Sequence, residues 1–321
     1  MHSNRKGDVM LKYVLKRLGY ILVTLWVIVT CTFFMMKNLP GTPFDAERFS
    51  IMTPQQQERV LEMYGLNDSL PMQYVKYIKN MLKGDLGTSF TYVNQDVSKV
   101  ITGRLGPSAL IGIQAVLIGL AIGLILGILA AWKHNSGIDY FTMILAVLGV
   151  SVPNFVAAAL LQYYIGLKWG VLPVGFWTGW NCSVLPSIAL SFSATAMVAR
   201  FMRTEMLDVL DQDYIVTARA KGISQAKVLM KHAVKNSIIP VVTVLGPIVV
   251  NLLTGSLAVE NIFSIPGIGS LFVDCIKAND YPVIMGITVF YAAFYMLIVL
   301  LVDVVYSLID PRIRLARGKE N

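Results

Sequence analysis

DYIVTARAKGISQAKVLMKHAVKNSIIP, residues 213–240, is a basic, amphipathic stretch set between two apolar runs of a chain that is otherwise poor in charge. Seven Lys and Arg fall between Arg200 and Lys235. From Glu205 to Lys221 the residues suit a helix, and Gly222 is expected to end it by supplying the positive φ that helix C-termini favour. Ser224 is then placed to cap a second helix. There Ala226, Leu229, Met230 and Ala233 recur at i, i+3, i+4 and i+7, which predicts one apolar face, while Lys227, Lys231 and Lys235 form a second stripe. Pro240 opens the next apolar run. Such a helix pair is either a headgroup-binding amphipathic element or a mechanical contact for another protein.

The surroundings of this island are membrane-like. Of 321 residues 55% are hydrophobic and 14% charged, and the mean hydropathy is +0.63. A bilayer core about 30 Å thick takes roughly 20 apolar residues of helix to cross, and six runs qualify. They are Leu18 to Met36, Leu105 to Trp132, Tyr140 to Leu167, Val184 to Ala199, Asn236 to Val259 and Tyr281 to Val302. As helices, the spans after the first are expected at about 107–132, 140–167, 184–200, 238–259 and 282–303. The expected class is all-α integral membrane, with a long loop at 37–104, a multi-span core over 105–309 that includes the polar segment 205–235, and a tail at 310–321. The fourth span is short, and Arg200 is expected to snorkel at its end.

Orientation follows from the cations. If residues 1–17 lie inside, the inner loops hold 17 of the 27 Lys and Arg, which places both termini in the cytoplasm of a multi-pass protein of the cell membrane. The net charge of +8 is thereby explained by the inner face and implies no nucleic acid. The N-terminal apolar run exceeds the roughly 7–15 residues of a signal-peptide core and has no A-x-A site before Lys37, so it reads as an uncleaved anchor helix.

Several chemistries find no support in the residues. Cys31, Cys182 and Cys275 form no metal-binding spacing, and Cys182 and Cys275 would pair only if their Cα atoms came within about 7 Å. His2, His134 and His232 are scattered, so no metal site is expected. The phosphate-binding pattern G-x-x-x-x-G-K-[ST] is absent, and no nucleophile, base and acid gather in the sequence, so the chain is not expected to be an enzyme.

Within the spans, Gly112, Gly119, Gly123 and Gly127 make a small-residue stripe suited to close helix packing. Pro153 beside Asn154 breaks the third span, with Gln162 further on. Asn251, Thr254 and Ser256 gather before Glu260 in the fifth, as inter-helix glue or as part of a hydrated route. Asp303, at the end of the last span, is expected at the interface with Arg312 as partner. In the 37–104 loop Tyr74, Tyr77, Ile78 and Met81 fall at helical spacing, which predicts an ordered subdomain. Residues 261–282, containing Ile265, Pro266, Gly267, Ile268 and Gly269, predict a turn and short apolar helix that form a re-entrant or interfacial element.

QDYIVTARAKG followed by KHAVKNSIIPVVTVLGP resembles the EAA loop of ABC importer permeases, in the version found in the oligopeptide and dipeptide branch. LPGTPF, YGL with GDLGTSF, SVPNF, LLQY, NIFSIPGIG with DYPVIMG, and terminal DPRIRL resemble the same branch in the same order. Placed on Gly222, the family's Glu-Ala-Ala falls on Val216, Thr217 and Ala218, so only the second alanine is kept, and the spacing from Gly222 to Pro240 is longer than the general pattern. The resemblance implies a type I importer fold of six helices. It implies a pore shared with a second permease, two cytosolic ATPases that bind the ATP and Mg, and an extracellular peptide-binding protein. The chain itself would hold no cofactor. Asp213, Tyr214, Thr217, Ala218, Arg219, Ala220, Lys221, Gly222, Ile223 and His232 would form the ATPase contact, with Ala218 and Gly222 permitting close approach. Asn154, Gln162, Asn251, Thr254, Ser256 and Glu260 are candidates for the pathway, and Pro266, Gly267 and Gly269 for the outer gate. Nickel-chelate and glutathione importers share these motifs. A channel or ion-coupled carrier working alone is the reading from another class, and only Asp303 offers it an intramembrane carboxylate.

Overall fold

In the computed structural model, residues 2–38, 49, 51–92, 95–253 and 256–309 are described. The expectations on LPGTPF, Thr254 and the tail from Asp310 lie outside them, as does the side chain of Asp303. The described residues are helical throughout their ordered elements and divide into two compact units, Met1–Gly106 with Ile268–Met296 and Pro107–Gly267 with Leu297–Asn321.

The first unit begins with α1 (His2–Lys37) and continues with α2 (Pro54–Met63) and α3 (Leu70–Leu82). Thr53 caps α2 in a full capping box with Gln56, and Pro54 opens the helix where its missing N–H costs nothing. The helical spacing read in the long loop is that of α3. Its Tyr74, Tyr77, Ile78 and Met81 pack on Val29 and Phe33 of α1, and Thr30 Oγ1 and Tyr74 Oη lie 2.7 Å apart. Burial raises the pKa of the Tyr77 hydroxyl above its ordinary value.

The GDLGTSF segment is held from α13 (Tyr281–Ile309) and the residue before it. The buried Asp280 carboxylate accepts from Ser89 Oγ and from the backbone N–H groups of Phe90 and Thr91, the latter two at 3.1 and 3.0 Å. Three donors on one carboxylate compensate its burial. Ile268, Leu271 and Cys275 of α12 (Ile268–Lys277) pack with Val283, Ile284 and Ile287 and with Val97, Val100 and Ile101 of α4 (Val97–Trp132). Helix α4 therefore starts well before the apolar run that marks it in the sequence. Cys275 and Cys182 are both free thiols.

In the second unit α4 packs on α7 (Val184–Leu210) through the glycine stripe. A Cβ at Gly119, Gly123 or Gly127 would come within 2.8 Å of Ala194 Cβ, 2.7 Å of Val198 Cβ and 2.6 Å of the Ala199 carbonyl. These glycines carry backbone contact between helices. Gly112 meets Leu252 and Leu253 of α10 (Lys235–Leu253) in the same way.

The third span is two helices, α5 (Gly137–Ser151) and α6 (Asn154–Leu161, continued by a π-helical turn Gln162–Lys168), bent by 101°. The cause is Pro153, which pushes Val152 out of the helical region to ψ 118°. Among the described residues, five further helices are long and apolar enough to cross a membrane, so the broken pair makes up to six spans.

Two expectations change. The helix of the fourth span does not end at Arg200: α7 runs to Leu210, because Met202 and Met206 continue its buried stripe at zero exposure. The helix expected from Glu205 to Lys221 is interrupted at Asp211 and Gln212, where Gln212 is extended at ψ 147°. Turning there lets the following residues bury their apolar side, which local propensity cannot foresee.

Candidate functional site

Past the Gln212 turn, α8 (Asp213–Ala220) carries Asp213 in its first turn and Arg219 in its last, each suited to the helix dipole. Its end is a Schellman motif: Gly222, at φ 76°, donates its N–H to Arg219 O at 2.9 Å and Ile223 donates to Ala218 O at 3.3 Å. Nothing lies within 4 Å of where a Gly222 Cβ would be, so the glycine is required by its backbone angle and not by crowding.

The second helix, α9 (Gln225–Val228), starts at Ser224, whose side chain makes no capping bond; the backbone carbonyl of Ser224 accepts from Val228 instead. A π-helical turn, Leu229–Val234, then leads into α10. The wider turn rotates the expected apolar face. Val228, Leu229 and Ala233 are buried, whereas Ala226 and Met230 are exposed, Met230 to 60%.

Ile215, Ala218 and Val228 form a small buried cluster with Val209, Leu210 and Ile223. Ala218 is thus an internal spacer between α8 and α9 and not an outward contact. The exposed side of α8 presents Asp213, Tyr214, Val216, Thr217, Arg219, Ala220, Lys221 and Gly222, while Ile223 and His232 are half-buried. Two bonds brace this platform: Asn236 Nδ2 donates to Tyr214 Oη at 2.9 Å, and Ser237 Oγ donates to the Glu205 carbonyl at 3.2 Å.

Beside the platform lies a cluster the sequence did not reveal. Arg203 of α7 grips the buried Asp139 carboxylate of α5 with two donors, one at 2.8 Å, and the N–H of Asn135 adds a third at 3.0 Å. His134 Nδ1 is 3.1 Å from the same carboxylate. Asp139 and Arg203 are 64 residues apart, so only the polarity of each beside an apolar run could have marked them. A cleft of about 200 Å³ opens between this cluster and α8, reaching from Trp132 and His134 to Asp211, Arg219 and Gln225.

The pathway and gate candidates are placed less uniformly. Gln162 uses its amide as a brace, donating to Val174 O and Ile262 O at 2.7 Å each. Ser256 caps α11 (Leu257–Ile262) through Val259 N–H at 3.4 Å. Glu260 is buried at 1% exposure and accepts from Ser108 Oγ at 2.7 Å. Gly267 packs against both of those side chains, leaving no room for a Cβ, and Gly269 is also buried; Pro266 is half-buried. Asn154 is half-buried at the start of α6, and Asn251 is exposed. The geometry therefore gathers one exposed platform at the end of α7, whereas the opposite polar groups mostly knit the chain to itself.

The family described as binding-protein-dependent transport system inner membrane component matches residues 123–315. Its membrane-component N-terminal family matches residues 10–107. The chain is 46% identical over 306 residues to the dipeptide transport system permease protein DppB of Lactococcus lactis subsp. cremoris, covering 95% of this chain and 100% of that one. DppB of Bacillus subtilis is 43% identical, with 95% and 99% covered. The oligopeptide transport system permease protein OppB of Salmonella typhimurium is 38% identical over 309 residues, with 95% and 100% covered. A solved structure described as an amino acid ABC transporter with histidines shares the fold at a TM-score of 0.51 and 20% identity, covering 67% of this chain and 94% of that one.

Proposed function

The chain belongs to the binding-protein-dependent transport system inner membrane components, and from that premise we propose that it is the permease of an ATP-driven importer of dipeptides or oligopeptides. It is a non-catalytic, multi-pass subunit. Its cargo class is supported by full-length relatives of 38–46% identity that are named as dipeptide and oligopeptide permeases. The single observation that carries the coupling role is the braced, exposed platform of α8 with its Schellman turn at Gly222.

In this reading α8 and α9 face the cytoplasm with both termini, in keeping with the cation bias. Two ATPases, which bind ATP and Mg, dock on Tyr214, Thr217, Arg219, Lys221 and the Gly222 tip. Their closure moves α8, and the bonds from Tyr214 to Asn236 and from Ser237 to Glu205 pass the motion into α10 and α7. A second permease completes the pore, and an extracellular binding protein delivers peptide. Asn154 and Asn251 remain the pathway candidates, while Gln162 and Glu260 act as braces around it.

The test is uptake of labelled peptide by cells carrying Arg219→Glu or Gly222→Val. The first reverses a charge on the exposed face. The second forces a β-branched residue into positive φ at a cost of about 1–3 kcal/mol. Both are expected to abolish uptake while membrane insertion and abundance stay normal. Normal uptake in both would remove the docking assignment.

A further inference from the structure

Residues 169–180, WGVLPVGFWTGW, connect the π-helical end of the bent third span to the turn at Trp180–Ser183. No Asp, Glu, Lys or Arg occurs from Trp169 to Ala199. From 174 to 180 exposure alternates strictly: Val174, Phe176, Thr178 and Trp180 face out, and Trp177 packs on the core. Phe176 is 69% exposed and Trp180 73%.

This display is built into the backbone. Gln162 holds the Val174 carbonyl, Phe176 N–H donates to the Phe263 carbonyl at 2.8 Å, and Gly175 lies so close to that carbonyl that a Cβ would come within 2.9 Å. Phe176 takes φ 65°, a conformation rare for a bulky side chain and sustained only where the surroundings impose it. Its ring points away from the protein as a result.

The chemistry of the face selects what covers it. A docking site for a soluble protein carries a polar and charged rim, whereas residues 169–180 themselves carry no charge. Lys168, which precedes the segment in the sequence, lies over the Tyr164 ring, 5.6 Å from its centroid. Trp and Phe with one wet edge are suited to the headgroup region of a bilayer. Both ends of the segment run directly into membrane spans, at the end of α7 opposite α8.

We infer that residues 169–180 form an interfacial anchor that seats in the lipid headgroup region and fixes the level of α7 in the bilayer. This rests on the membrane spans alone and is independent of cargo and ATPase.

The experiment uses the full chain with Cys31→Ala, since Cys182 and Cys275 are buried. Phe176→Cys and, separately, Trp180→Cys are labelled with nitrobenzoxadiazole in phosphatidylcholine nanodiscs, with Leu22→Cys as a mid-span control. A nitroxide on the lipid headgroup is expected to quench both labels several-fold more than aqueous iodide does, and more than a mid-chain nitroxide does, whereas Leu22→Cys shows the opposite depth preference. Dominant iodide quenching would mean a water-facing surface open to a soluble protein. Protection from every quencher would mean cover by protein, either this chain or a second copy of it. Either result overturns the anchor. If Phe176→Cys does not fold, Trp180→Cys, in the adjoining turn, carries the same measurement.

Discussion

At Gly267 a single hydrogen separates the backbone from the Glu260 carboxylate and the Ser108 hydroxyl. Gly267→Ala is expected to destabilise the chain by about 1–3 kcal/mol through overpacking, read as a fall in thermal stability of the detergent-solubilised protein. Glu260→Asp, which withdraws the carboxylate, is expected to recover part of the loss, and a double-mutant cycle without coupling would refute the contact. Cys275 provides a chemical check. Burial first, with Asp280 and Asp274 adding, pushes its thiol from 9.0 up to about 12. A raised acid is favoured in its neutral form, so its contribution to stability is full below pH 9.0 and is lost as the pH rises towards 12. At pH 8 maleimide is expected to leave Cys275 unmodified in the folded chain and to label it after denaturation in SDS, as read by mass spectrometry. At this scale Gly222 was legible, because one residue type suits positive φ after a helix. The Arg203–Asp139 pair was not, because a contact across 64 residues has no local signature.

Among the elements, α4 and α7 approach through Gly119, Gly123 and Gly127. Gly123→Leu is expected to force them apart and lower stability by several degrees in a thermal melt, whereas Gly106→Ala, with nothing within 4 Å, is expected to be neutral. Equal effects would show that the stripe does not set the packing. The ion pair fastening α5 to α7 predicts a second difference. Asp139→Ala leaves the guanidinium of Arg203, 19% exposed, without its carboxylate, a loss of about 3 kcal/mol. Replacing both residues by apolar ones of similar size is expected to cost less. Element positions were readable where one periodicity ruled, as for α3, whose face matched Tyr74, Tyr77, Ile78 and Met81. They were misread at Gln212 and across Leu229–Val234, where tertiary burial selected an extended residue and a π turn over a regular helix.

For the molecule as a whole, the proposed role places the energy source in other subunits. Purified chain in vesicles, without ATPases, is expected to give no peptide flux, and flux to appear only with partner permease, ATPases, ATP and the binding protein together. Flux from the chain alone would restore the channel or carrier reading.

The sequence by itself determined the membrane class, the approximate spans, the glycine seam and the break at Gly222, because apolar run length, small-residue spacing and backbone angle are local properties. Only the tertiary structure decided that α7 continues to Leu210, that Ala218 faces inward, that Gln162 and Glu260 brace the chain, and that Phe176 and Trp180 face outward. Each of these depends on which distant surface is available to bury a side chain or satisfy a polar group, and that is set by packing between elements far apart in the chain.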